Sequence, residues 1–386
     1  MQVIFKPIAA VFTLLAAFML LSMTTPGKRS VKRVKAPAPK IQVAILLDVS
    51  NSMDGLIEQA KAQLWNMVST MGKAQCDNAT PKIEIALYEY GRSTNNVKEG
   101  YVKQINGFTG DLDQVSKNLF GLTTNGGDEF CGHVIFTSMK ELNWDNSASS
   151  YKVIFIAGNE DFLQGDILYT RACAEAKQKG VTVNTIYCGD RMQGIREHWN
   201  LSAECGNGSF TNINQDAKIE DIPTPYDSII FSLNEKLNGT YIAYGYAGRT
   251  NLAKQAEVDQ LNTTMSKTAG IKRIAVKGNN KVYKNASWDL VDAYDGDEKS
   301  IAKLDMKTLP DSLQKKSKEE IKVIVTEKGR ERGLVQKEIE KVNTQREAYI
   351  AKEKAKNVLK VNNATMETEV EKIIKVQAKR YNMIIQ

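Results

Sequence analysis

The sequence predicts an α/β fold, a doubly wound and mostly parallel sheet with helices on both faces, followed by a mainly α-helical C-terminal region. Three observations predict it. From residue 41 onward, short β-branched runs alternate with amphipathic helical segments, the pattern that builds a parallel sheet covered on both sides. The first run, Ile41–Leu47, is rich in Ile, Val and Leu, as a strand buried on both faces requires. Beyond Ser312 the chain has no Pro and is dominated by Lys, Glu, Ile and Val, a helical composition.

Taken in order, Leu56, Ile57, Ala60, Leu64, Met67, Val68 and Met71 recur at helical spacing and predict a helix over Leu56–Met71. Lys82–Tyr90 alternates as a strand, Val102–Ile105 reads as a short edge strand and Leu112–Phe120 as a short helix. A Gly-rich loop at Gly121–Gly127 leads to a helix at Gly132–Leu142 and a buried strand at Tyr151–Ala157. A helix over Gln164–Lys179 ends at Gly180, the residue type that most readily takes the left-handed terminating conformation. Val181–Tyr187 is a strand, Gln193–Ala203 a helix, Ser209–Ile213 a last strand and Tyr226–Asn238 a closing helix. The α/β domain therefore spans residues 40–240, and residues 241–386 form the mixed, then helical, C-terminal region. There the apolar Ile339, Val342, Ala348, Tyr349 and Ala355 sit among charges, which predicts solvated helices arranged as a hairpin without a strict heptad.

Composition removes whole classes of function. A chain of 386 residues with 26 Gly and five Cys is neither collagen-like nor a disulfide scaffold. The formal charge of +7 is unevenly spread: residues 1–40 carry seven Lys or Arg and no acid, residues 41–240 balance to −9, and residues 241–386 to +9. An acidic middle between two basic ends does not suit a nucleic-acid binder. The +9 and −9 parts complement one another, so the charged helices either pack on the acidic domain or form a solvated surface of their own.

Lys6 precedes an apolar run, Pro7–Met23, with the layout of a secretory signal peptide. Residues 1–25 are expected to be that signal or an uncleaved N-terminal membrane anchor, and residues 26–39 a basic, Pro-containing linker. The expected location is exported, periplasmic or envelope-associated. Lys28, Arg29, Lys32, Arg33 and Lys35 argue the other way, because such a cluster prefers the cytoplasmic side. Cys76, Cys131, Cys173, Cys188 and Cys205 contain no C-x-x-C spacing, so a zinc site is not expected. After export some of them can pair, and the odd count leaves a thiol over.

Ligands of open α/β sheets collect at the carboxyl ends of the strands. There the first strand ends in Asp48-Val49-Ser50-Asn51-Ser52. One carboxylate and two hydroxyls at alternate positions can face one side, and hard oxygen donors of this kind suit Mg²⁺, or Mn²⁺ or Ca²⁺. The opposing reading is helix capping by Ser52 or Asp54. With the Val153–Ile156 and Val183–Ile186 strands and the Trp199 to Phe210 segment, Asp48-x-Ser50-x-Ser52 makes residues 40–240 resemble a von Willebrand factor A domain. In that family the triplet belongs to a metal-ion-dependent adhesion site, to which a Thr from a middle loop and an Asp from a later strand end also contribute. This chain departs at both places. Where the Thr is expected the register gives Asp128, with Thr123 or Thr124 taking that part if the loop slips, and where the Asp is expected the chain has Gly158. The Asp128 carboxylate is expected to offset the missing one. Thr124, Glu129, Asn159 and Glu160 are the expected outer ligands.

Enzymatic signatures are missing: there is no Gly-x-Ser-x-Gly elbow, P-loop or Gly-x-Gly-x-x-Gly fingerprint, and Ser50 stands where an Asp-nucleophile phosphotransferase needs a second Asp. His133 and His198 read as surface or interface side chains, and Trp199 and Trp288 as packing residues. Trp288–Ala293, Leu309-Pro310, the Arg332–Arg346 stretch and Tyr349 look like the tail of bacterial envelope proteins that carry such a domain. The sequence thus points to a non-enzymatic protein-binding module of the cell envelope whose cation captures a partner's carboxylate, with no role in nucleic-acid binding. The alternative is a metal-independent scaffold acting through its C-terminal helices.

Overall fold

The computed structural model describes residues 39–76, 80–214, 216–217, 221–356 and 366–385. The N-terminal apolar run and the linker up to residue 38 lie outside the described residues. Among the described residues no helix is long and apolar enough to cross a membrane.

Six strands form the central sheet: β1 (Lys40–Asp48), β3 (Lys82–Tyr90), β4 (Lys103–Thr109), β5 (Tyr151–Gly158), β6 (Thr182–Cys188) and β7 (Phe210–Ile213). Their spatial order is β4-β3-β1-β5-β6-β7. All neighbours are parallel except the edge strand β4, which runs antiparallel to β3 with irregular register. This is the doubly wound α/β fold that the sequence predicts. A second, two-stranded sheet joins β2 (Ala74–Gln75) to β8 (Ile384–Ile385), tying the C-terminal end back to the first helix.

Strand side chains alternate between the two faces. Ala44, Leu46, Ala86, Tyr88, Ile154 and Ile156 face α3 (Cys131–Glu141), α4 (Tyr169–Gln178) and α6 (Trp199–Cys205). Val43, Ile45, Leu47, Ile85, Leu87, Val153 and Phe155 face the other way, onto α1 (Asp54–Gly72) and α2 (Leu112–Phe120). Each such aliphatic side chain contributes about 1.5–3 kcal/mol on burial. The short helix α5 (Arg191–Arg196) lies just before α6, and α7 (Asp227–Asn238) joins the α1 face.

The described residues from 39 onward make one compact unit. The helices α8 (Gly248–Met265), α9 (Lys267–Lys277), α10 (Leu290–Gly296), α11 (Asp311–Gln314), α12 (Lys318–Lys356) and α13 (Met366–Ala378) follow in order. The α1-face core continues into α9, α12 and α13, and a smaller apolar cluster forms around Leu290, Leu309, Ile321 and Val325.

The structure corrects several expectations. The edge strand extends to Thr109. The helix expected from Gln164 starts at Tyr169, because Gly165 adopts φ +84° with the Phe130 ring against it. The helix expected over Gln193–Ala203 breaks into α5 and α6 at His198, whose φ is +66°. The long C-terminal helix buries Ile321, Val325, Arg332, Val335, Ile339, Val342 and Arg346 along one side, so it is not merely solvated. The expected hairpin is not formed: α12 packs mainly on α7 and α10, and α13 on α1. All five cysteines are thiols, four of them buried and Cys205 half-buried. Trp199 packs edge-on to Phe162 and Trp288 stacks on Tyr241.

Candidate functional site: an oxygen-lined cleft at the strand ends

The parallel strands β1, β3 and β5 deliver their carboxyl ends to one rim. Asp48, the last residue of the central strand, lies in register with Tyr90, and Leu47 with Ala157. The chain then turns sharply. The Ser50 backbone N–H donates to Asp48 Oδ1 at 2.7 Å, and the Met53 N–H to the Ser50 carbonyl at 3.1 Å. This turn puts Ser50 Oγ 3.5 Å from Ser52 Oγ. The Ser50 and Met53 side chains at the two N-cap positions make no capping hydrogen bond, and Asp54 accepts from the Thr124 hydroxyl at 2.5 Å.

The Gly-rich loop is laced onto this turn. The Asn125 N–H donates to the Val49 carbonyl at 2.8 Å, and the Ser93 N–H to the Gly126 carbonyl at 2.9 Å. Two glycines make the space around Asp48. A Cβ at Gly91, where φ is +81°, would lie 3.0 Å from Asp48 Oδ1 and from Glu129 Cγ. A Cβ at Gly158 would lie 2.5 Å from Tyr90 Oη and 3.0 Å from Asp48 Oδ2. The Tyr90 hydroxyl, donating to the Ala157 carbonyl at 3.0 Å, fills the space that an Asp at position 158 needs.

The carboxylates divide unexpectedly. Asp128 is exposed, whereas Glu129 is 8% exposed and turns inward, with the Ser50 hydroxyl as a hydrogen-bond partner. Thr123 is exposed and Thr124 faces Asp54. Asn159 donates from Nδ2 to Ser52 Oγ at 3.2 Å, and its Oδ1 is buried without a hydrogen-bond partner. The half-buried Glu160 accepts from Gln164 Nε2 at 3.3 Å, while its carbonyl accepts the Trp199 indole N–H at 2.8 Å. His133 lies on α3 against Gly100, and His198 Nδ1 lies 3.0 Å from Asp161 Oδ1, so neither histidine enters the cleft.

Electrostatically the site is short of positive charge. Asp48 is fully buried, and its Oδ2 has no hydrogen-bond partner. Burial pushes its carboxyl up to about 6, against hydrogen bonds from Ser50, and the nearby Glu160 charge adds to the rise. Burial likewise pushes Glu129 up to about 7, reinforced by the charges of Asp48 and Glu160. Among the described residues, no ion pair involves Asp48, Asp128, Glu129 or Glu160. Two inward carboxylates, with Asp48 Oδ2 orphaned, and two serine hydroxyls are a donor set that fits a hard divalent cation with water completing its shell. No group of three or more His, Cys, Asp or Glu side chains among the described residues is placed to hold a metal alone, so the hydroxyls are essential to such a site.

Sequence reasoning ranked Asp128 above Glu129. The residues that follow are held by long-range packing: Phe130 lies edge-on to Tyr101 at 5.6 Å, and a Cβ at Gly132 would meet the Ile167 carbonyl. Neither contact is local in sequence.

No protein-family model matches this chain, and no curated protein matches it. Solved structures do. One is proximal thread matrix protein 1 from the mussel byssus, described with a zinc-occupied MIDAS motif, at 14% identity and TM-score 0.34, covering 45% of this chain and 42% of that one. Another is an aerotolerance-related membrane protein from Bacteroides fragilis, at 16% identity and TM-score 0.32, covering 46% and 93%. A third is a von Willebrand factor type A structure from Catenulispora acidiphila, at 16% identity and TM-score 0.35, covering 46% and 39%. The match spans less than half the length of the mussel protein.

Proposed function

We propose that this chain is a non-enzymatic, cation-dependent binding module. In this reading Asp48, Ser50, Ser52 and Glu129 hold Mg²⁺, or Mn²⁺ or Ca²⁺, and an outward position on the ion accepts a carboxylate from a protein partner. The observation that carries it is the pair of buried carboxylates, Asp48 and Glu129, raised by burial and mutual repulsion with no cationic side chain beside them. A divalent ion supplies the missing charge. The apolar side of α12 and the α13 stripe are used within the domain, which supports the cation reading over assembly through those helices. In the same proposal the N-terminal apolar run exports or tethers the chain, so that the module works in the envelope.

The test is thermal unfolding of the full chain in EDTA, Mg²⁺, Mn²⁺ and Ca²⁺, with Asp48→Ala in parallel. A cation at 100 times its dissociation constant adds about 2.7 kcal/mol. An upward shift in wild type that disappears in Asp48→Ala is expected. An equal shift in both proteins, or none in either, contradicts the reading.

A further inference from the structure

The five thiols are not equivalent. Cys131 lies 3.7 Å from the Tyr90 hydroxyl at the floor of the cleft, and Cys188 is buried at the end of β6. Cys173 and Cys205 are placed differently. Cys173 sits on α4 and Cys205 at the last position of α6, and these two helices pack together. The Cys173 thiol points at α6, donating to the Ser202 carbonyl at 3.6 Å. Ser202 precedes Cys205 by three residues, so both lie on one side of that helix. The Cys205 thiol is itself a hydrogen-bonding neighbour of Cys173. Cys173 is fully buried, while Cys205 is half-buried and reachable from solvent.

We propose that Cys173 and Cys205 form a disulfide that clamps α4 to α6. The oxidant is a small disulfide such as oxidised glutathione. The Cys205 thiolate attacks one sulfur of the reagent, forming a mixed disulfide and releasing one thiolate. Cys173 then loses its proton and attacks Cys205 Sγ, closing the protein disulfide and releasing the second thiolate. Two electrons pass from the cysteine pair to the reagent. Burial, with the Cys205 contact adding to it, holds the Cys173 thiol well above its ordinary range, so closure is the slower of the two steps.

The clamp lies behind the cleft rather than in it. Trp199, at the opposite end of α6, donates its indole N–H to the Glu160 carbonyl at 2.8 Å, and the Thr185 hydroxyl donates to the Trp199 carbonyl at 2.8 Å. A fixed α6 therefore braces the loop that carries Asn159 and Glu160. Closing a loop of about thirty residues also restricts the unfolded chain.

The experiment exposes the full chain to oxidised glutathione, alkylates the remaining thiols, and maps peptides by mass spectrometry without reduction. The expected result is one linked pair, Cys173 with Cys205, while Cys76, Cys131 and Cys188 are recovered alkylated. The unfolding midpoint should rise by several degrees, fall back with reductant, and not respond to oxidation in Cys205→Ser. Five alkylated thiols after the same exposure, glutathione retained on Cys205 without closure, or a link through Cys76, Cys131 or Cys188 overturns the proposal.

Discussion

Two largely buried carboxylate pairs in this molecule are handled in opposite ways. On the α1 face, Asp113 and Asp259 share two cations. Arg273 lies 2.8 Å from Asp113 and 2.7 Å from Asp259, and Lys277 lies 2.5 Å from Asp259. Arg273 is further sandwiched against Trp65 and Tyr283. Burial works against the Asp259 carboxylate, yet Arg273 and Lys277 hold it well below its ordinary value. At the strand ends, Asp48 and Glu129 are buried with no such partner, and both carboxyls are raised. Where the fold needs charge inside for its own packing, it supplies the counter-charge. The uncompensated pair lies at the one rim where an α/β sheet takes ligands.

That contrast predicts opposite signs for the same chemical change. Asp259→Asn leaves the fully buried Lys277 without a carboxylate and Arg273 with Asp113 alone, and is expected to cost about 3–5 kcal/mol in denaturant unfolding at neutral pH. Its mirror, Glu129→Gln, is expected to stabilise the chain in EDTA, because it removes a repelled carboxylate. Destabilisation by Glu129→Gln in EDTA would break the comparison. Next in size is Gly158→Ala. Its Cβ would meet Tyr90 Oη and the Asp48 carboxylate, costing about 1–3 kcal/mol as an overpacked site. An unchanged midpoint would show that the cleft floor is looser than described.

The same comparison extends to the pH profile. Asp48 at about 6 and Glu129 at about 7 keep their protons to higher pH in the folded chain than in the unfolded one. The folded state therefore binds more protons between about pH 4 and 7, and cation-free stability falls as pH rises through that window. A rise of about two units corresponds to about 3 kcal/mol for each group when it is expressed in full. Asp259, depressed instead, contributes stability above its unfolded pKa that is lost as pH falls, in the acid range. In EDTA, Glu129→Gln should flatten the slope between pH 5 and 7, which unfolding at stepped pH measures. An unaltered slope assigns it elsewhere.

Much of the fold was legible because buried parallel strands leave a strong mark: β1 and β5 are β-branched and largely apolar, β6 is β-branched and buried along its length, and their ends fall within a residue or two of expectation. The Asp48, Ser50 and Ser52 turn was legible for the same reason, being fixed to the end of such a strand. Three features were not. The buried stripe of α12 repeats at spacings of three and four, but Arg332 and Arg346 occupy two of its places. Those guanidiniums are neutralised by Asp289, Asp292 and Asp227, so a hydropathy reading sees only charge. The break at His198 depends on a single left-handed residue. The inward turn of Glu129 accompanies the packing of the neighbouring Phe130 on Tyr101, a contact that adjacent Asp and Glu codes do not reveal.

The central claim, that the uncompensated pair takes its counter-charge from a divalent cation, is tested most directly by calorimetric cation titration of wild type, Glu129→Gln and Asp128→Asn. Saturable binding in wild type, retained within a few-fold by Asp128→Asn and lost or weakened at least tenfold, about 1.4 kcal/mol, by Glu129→Gln is the predicted result. No binding in wild type, or a loss confined to Asp128→Asn, would contradict it.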